Sequence, residues 1–253
     1  MITLRHEAQS RNQLPPPDPA PRDELLEQRA YAALRDALIQ GGFPPGEKLS
    51  IRRIAAALGV SPMPARAALQ RLAAERCLDI ASSGAAIVPL ITRDAYREIT
   101  RIRALLEPEA AATAVPRLPP AEIAALRALA AEARAARAAG DEDTYRRGDR
   151  LLHQRLFAAA RQPLLLAIIQ TLWMRRSAII ALARPILPAR TDGDDHEGLL
   201  AAAGAHDPQA AAAALRSEIE RAAAFLLARL RFPEDPTPPA QGWEALQPII
   251  GES

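Results

Sequence analysis

A 253-residue chain with a net charge of only +2 cannot hold nucleic acid by bulk electrostatics, so any polyanion partner must be met by a local patch. Apolar residues are 49 % of the total but aromatics only 4 %, which suits two modest helical units rich in alanine and leucine. The single cysteine, Cys77, excludes an internal disulfide framework, and no stretch is long and apolar enough to span a membrane. The expectation is a cytoplasmic protein in which Cys77 is a small core residue.

Residues 1–22 hold Pro15-Pro16-Pro17, lack a signal-peptide core and read as a flexible arm. Residues 23–90 read as one unit. Ser50 can cap a helix whose apolar positions, Ile51, Ile54, Ala55 and Leu58, form one stripe. Gly59 ends it with a tight turn. Ser61 can cap a second helix, with Pro62 tolerated at its first position. That helix buries Ala65, Ala68, Leu69 and Leu72 and presents Arg66 and Gln70 on another face. An extended stretch at 77–80, the turn Ser82-Ser83-Gly84 and a second strand at 86–89 follow. Helix, turn, helix and hairpin in this order form a winged helix-turn-helix, which lays its second helix in a major groove. From Lys48 to Arg76 there are six basic residues against the single acid Glu75, a local excess suited to phosphates.

The runs Gly42-Phe43-Pro44-Pro45-Gly46-Glu47-Lys48-Leu49, Ile54 to Ser61 and Pro64 to Leu72 resemble the DNA-binding domain of GntR-family transcription regulators. The resemblance implies that Arg52, Ser61 and Arg66 contact an operator, with wing residues Ser83 and Gly84 adding minor-groove contacts. Three positions depart from the family pattern: Pro62 stands where Arg is common, Ala67 where Glu is common, and Arg76 where Gly is common.

From Thr92 to Phe232 the pattern is helical. Thr92 can cap a helix to about Val115, Pro119-Pro120 opens a second to Ala139, and Asp141 opens a third ending near Gln162. A fourth runs from Leu164 to about Ala183, Asp194 or Asp195 opens a fifth, and Asp207-Pro208 caps the last. The fold expected is mostly α: the winged head with a small β-hairpin, then an all-α bundle of about six helices over residues 91–232. Residues 233–253 read as a Pro-rich tail whose Trp243, Leu246, Ile249 and Ile250 could dock.

Asp149 and His153 are i, i+4 on one helix and share a face; His196 lies in the first turn of the fifth helix, and Glu218 falls on the last. Such side chains can converge inside a bundle on a divalent ion, although an Asp and a His four apart also form an ordinary surface pair. The segments Arg103-Ala-Leu-Leu-Glu107, Asp149 to His153 with Phe157, His196-x-x-Leu-Leu-x-Ala and Arg216-x-Glu218 resemble the effector domain of the FadR subfamily. The resemblance implies a metal held by Asp149, His153, His196 and Glu218, the last standing where a His is usual, with zinc, nickel or manganese bound. It also implies that Arg103 reaches a carboxylate effector, while the spacing equally allows an Arg103–Glu107 pair within the helix. The expectation is therefore a homodimeric transcription regulator that binds double-stranded DNA and answers to a small carboxylate. The alternative is a metal-dependent hydrolase or lyase, which the missing general base and the DNA head disfavour.

Overall fold

The computed structural model describes residues 22–183, 186 and 196–235. The expected arm before residue 22, Asp194 and Asp195, and Trp243, Leu246, Ile249 and Ile250 lie outside the described residues. The first helix, α1 (Arg22–Ile39), leads into a short strand, β1 (Lys48–Leu49), and the two helices α2 (Ile51–Leu58) and α3 (Pro62–Ala74). Two further strands, β2 (Asp79–Ile80) and β3 (Ala86–Ile87), complete a three-stranded antiparallel sheet in the order β1-β3-β2. The expected hairpin is thus two strands of a sheet that begins at Lys48, which pairs with Ile87, while Ile80 pairs with Ala86.

Local chemistry explains these boundaries. Ser50 caps α2 by accepting from the Arg53 N–H, and Gly59 closes it at φ +64°. Ser61 occupies the corresponding position before α3 but makes no side-chain hydrogen bond. Pro64, third residue of α3, has no N–H to offer it. The exit of α3 shows why glycine is common at position 76. Arg76 is left-handed, at φ +57°, and the Cys77 N–H reaches back to the Leu72 carbonyl. Left-handed backbone costs a side-chain-bearing residue about 1–2 kcal/mol. Arg76→Gly removes that strain and gives back about 0.4–1 kcal/mol through the looser unfolded chain. The expected result is a net gain near ~1 kcal/mol, read by calorimetry as a rise of about 2–4 °C in melting temperature.

The second part is all helix: α4 (Arg93–Ala114) with a 3-10 turn at Val115–Arg117, α5 (Pro120–Ala138), α6 (Glu142–Ala158), α7 (Pro163–Arg175), α8 (Ser177–Ala183), α9 (Glu197–Gly204) and α10 (Pro208–Arg229). Thr92, Asp141 and Asp207 cap α4, α6 and α10 as their positions suggested. The long helices α4 and α10 pack along each other, and α5 packs on α6. There Gly148 lets the helices close: a Cβ on it would lie 2.9 Å from that of Ala133. The expected fourth helix is two, α7 and α8, bent by 48° at Arg176. The described residues of the bundle thus form seven α-helices, in keeping with the bundle of about six expected. His196 is not in a first helical turn. It precedes α9 as its N-terminal cap residue, in left-handed conformation at φ +69°. Among the described residues no single helix is long and apolar enough to cross a membrane.

The two parts touch. Gly41, at φ +66°, sits at the end of α1 so close to α8 that a Cβ on it would lie 2.8 Å from the Ala181 backbone nitrogen. Arg35 of α1 donates to Gln170 of α7, and Asp36 lies 3.9 Å from Arg150 of α6.

Candidate DNA-binding face and effector site

The head buries Ala65, Ala68, Leu69 and Leu72 of α3, and this fixes which residues of that helix face outward. Arg52, Ser61, Arg66, Ser83 and Gly84 are all exposed. Among the described residues Arg52 and Arg66 make no hydrogen bond and no ion pair, so their guanidinium groups are free to meet an outside partner. Met63, in the first turn of α3, is 78 % exposed. An apolar side chain at the tip of a recognition helix suits a thymine methyl group. Periodicity in the sequence gives no sign of this exposure, because it marks apolar residues as core. Cys77 is fully buried, and burial, with the Glu75 carboxylate nearby, pushes its thiol up to about 12, which keeps it unreactive.

Inside the bundle a cavity of about 140 Å³ opens among α4, α6, α7 and α10. Asp149 and His153 of α6 reach it together with His196, and one ligand atom from each lies within 4.8 Å of the others. The hydrogen bonds determine how these rings are presented. His153 Nδ1 is 2.8 Å from the Asp149 backbone carbonyl, and His196 Nδ1 is 3.0 Å from Glu218 Oε2. In the neutral tautomer that donates from Nδ1, His196 keeps Nε2 as its acceptor, 3.1 Å from Asp149 Oδ1. Glu218, expected as a fourth ligand, is on the far side of the His196 ring from Asp149. His196 Nε2 is buried without a hydrogen-bond partner, although Asp149 Oδ1 is only 3.1 Å away. A buried, unaligned nitrogen beside a carboxylate and a second imidazole is the environment a divalent cation completes, so the residues fit one. Burial alone would lower the His196 pKa, but Asp149 and Glu218 on its two sides outweigh it and push it up to about 10. Asp149 in turn is held well below the usual carboxylate range, its burial outweighed by His153 and His196. The carboxylates on both sides of His196 therefore favour positive charge there, whether a proton or a cation in its place.

Arg103 makes the intra-helix pair that its spacing allowed. Its Nε and Nη2 donate to Glu107 at 2.6 and 3.1 Å, and Glu107 also accepts from the Trp173 indole at 2.7 Å. Burial opposes both charges, yet the pair outweighs it: the Glu107 pKa falls and that of Arg103 rises. Both residues line the cavity. So does Arg176, which no motif or spacing in the sequence marks. Burial, with Arg103 beside it, brings its guanidinium down to about 10. The cavity is closed on one side by Ile39 and Gln40, the end of α1 in the head.

Comparison with known proteins agrees with this two-part reading. Residues 26–88 match the family of bacterial regulatory proteins called the gntR family, and residues 98–221 match the FCD domain. The chain is 33 % identical to the HTH-type transcriptional regulator McbR of Escherichia coli (strain K12) over 179 residues, 70 % of this chain and 81 % of that protein. The solved structure of E. coli McbR/YncC superposes with a TM-score of 0.76 at 29 % identity, covering 81 % of this chain and 98 % of that one. A GntR transcriptional regulator from Rhodococcus sp. RHA1 superposes at 0.64 with 25 % identity, covering 81 % and 99 %. These relatives are regulators, and nothing among them supports a hydrolase or lyase. The chain belongs to the GntR family of transcription regulators, with a winged-helix head for DNA and an FCD effector-binding domain behind it.

Proposed function

We propose that the chain is a FadR-type cytoplasmic regulator that binds its operator as a homodimer and releases or grips it according to a small carboxylate. Residues 23–90 act as the DNA unit and residues 91–232 as the sensor. Asp149, His153 and His196 hold a divalent ion, with zinc, nickel and manganese all matching one carboxylate and two imidazoles. Glu218 serves behind them, fixing the tautomer and orientation of His196 through its Nδ1–H. When bound, the ion supplies an electrophilic point for a carboxylate oxygen.

The observation that carries this reading is the cavity wall. Ile39 and Gln40 belong to the head, yet they line the same space as Asp149, His153 and His196. A ligand seated there meets the head directly, and it can change operator affinity by fitting one arrangement of the heads better than another. Arg52, Ser61, Arg66, Ser83 and Gly84 supply the DNA contacts.

The test is elemental analysis and zinc titration of purified protein. Wild type should retain close to one ion per chain, and His153→Ala should lose it while still binding operator DNA. Glu218→Gln should keep the ligands but weaken metal affinity about 10–100-fold, as loss of an outer partner does. Unchanged metal content in His153→Ala would rule the cluster out as the site.

A further inference from the structure

Five arginines line the cavity: Arg103, Arg146, Arg150, Arg176 and Arg221. Four of them have protein partners. Arg103 is committed to Glu107 through two hydrogen bonds, and Arg146 donates to Asp143 at 2.5 Å. Arg150 donates to Gln154 and lies 3.9 Å from Asp36, and Arg221 donates to the Ser217 hydroxyl. Arg176 has no hydrogen bond or ion pair among the described residues, and its Nε is sealed from solvent without an acceptor. Arg146 Nε and Nη1 and Arg150 Nε are likewise buried with nothing to donate to. Buried donors without acceptors are costly, and here these arginine nitrogens all belong to residues lining one cavity.

Resting on the reading of this cavity as the effector site, we propose that Arg176, not Arg103, grips the effector, and that the effector is a small dianion. One anionic group lies between Arg176 and the Asp149–His153–His196 cluster. The second lies against Arg146 and Arg150. The helical spacing supports two anchors: Arg146, Arg150 and His153 recur at four- and three-residue steps on one face of α6. Arg146 is seven residues from His153, about 10 Å along the axis. A dicarboxylate of four or five carbons, held by long arginine side chains, spans that distance. The volume admits on the order of ten water-sized groups, which matches such a molecule. Trp173, Ile180 and Leu226 offer apolar wall for its methylene chain. Charge agrees as well. Glu107 neutralises Arg103, Asp143 pairs with Arg146, Asp36 lies beside Arg150, and a divalent ion would balance Asp149 and Glu218, which leaves Arg176 and Arg221 in positive excess.

The experiment is calorimetric titration with succinate and glutarate, each against its monoamide, on metal-loaded and metal-stripped full-length protein at matched ionic strength. Wild type should bind at least one diacid about tenfold or more tighter than its monoamide. Arg176→Gln should weaken diacid and monoamide alike by tenfold or more. Arg146→Gln should bring the diacid-to-monoamide ratio close to one while leaving the monoamide bound. Circular dichroism of both variants confirms that they are folded. The proposal is overturned if neither diacid binds wild type, if diacid and monoamide bind equally, or if Arg176→Gln stays within twofold of wild type. The stripped sample separates this proposal from the metal reading. Failure of the metal reading leaves the Arg176 effect present in protein that carries no ion, and failure of this proposal leaves metal content as found.

Discussion

Replacing Arg103 with alanine is expected to cost about 3–5 kcal/mol of folding stability, the usual penalty for stripping one partner from a buried ion pair. Glu107 is 1 % exposed and would keep only the Trp173 indole as a donor. The sign with pH follows. In wild type Glu107 is held below its ordinary pKa, so the pair's contribution is present above the unfolded carboxylate value and fades as pH falls through the folded one. In the variant the lone buried carboxylate favours its protonated form, so its deficit relative to wild type should be larger at pH 7 than at pH 5. Urea unfolding at the two pH values measures this. The double variant Arg103→Met, Glu107→Leu should recover part of the loss, because an apolar pair of similar volume removes the lone buried carboxylate but leaves the Trp173 indole N–H without its acceptor. A loss below about 1 kcal/mol in Arg103→Ala would mean that water reaches Glu107 and that the pair is not structural.

Removing the Arg66 side chain should weaken operator binding by about 1–3 kcal/mol, roughly 5- to 150-fold, and blur the preference at one base pair in each half-site. Arg66 is exposed on α3 with no partner in the head, so nothing inside the protein compensates for the loss. Arg52→Ala is expected to act differently if it meets phosphate: weaker binding to all sequences alike, and a salt slope lower by about one. A mobility shift with promoter fragments, repeated at two salt concentrations, separates the two roles. The mass of the complex by light scattering should correspond to two chains, since one recognition helix reads too few base pairs alone. Equal operator affinity for Arg66→Ala and wild type at matched salt would remove α3 from the groove.

Much of the head was legible in the sequence because its signals are local. A capping serine, a left-handed glycine and an i, i+3, i+4, i+7 stripe act within one or two turns, and Ser50, Gly59 and Leu58 placed α2 correctly. The third strand was missed for the complementary reason. Lys48 and Leu49 are strand only because Ala86 and Ile87, nearly forty residues away, pair with them. The bend between α7 and α8 left no trace either. The apolar pattern continues from Trp173 and Met174 into Ala178 and Ile179, and periodicity registers burial, not direction. In the sensor, the spacing brought Asp149 and His153 to one face and a resemblance pointed to His196. Which nitrogen of His196 meets Glu218 is a three-dimensional fact that no spacing contains. Arg176 was invisible for a similar reason: an arginine near the end of an apolar helix looks like an ordinary charged terminus until the bend carries it into the cavity.

The contact at Gly41 gives the protein a property of its own. Most paired domains meet through side chains, which can rotate and so soak up small displacements. Here the head meets α8 backbone against backbone, with no room for even a methyl group between Gly41 and Ala181. Such a joint has no backlash. The end of α1 and α8 are therefore set at a separation that a single added methyl group would disturb.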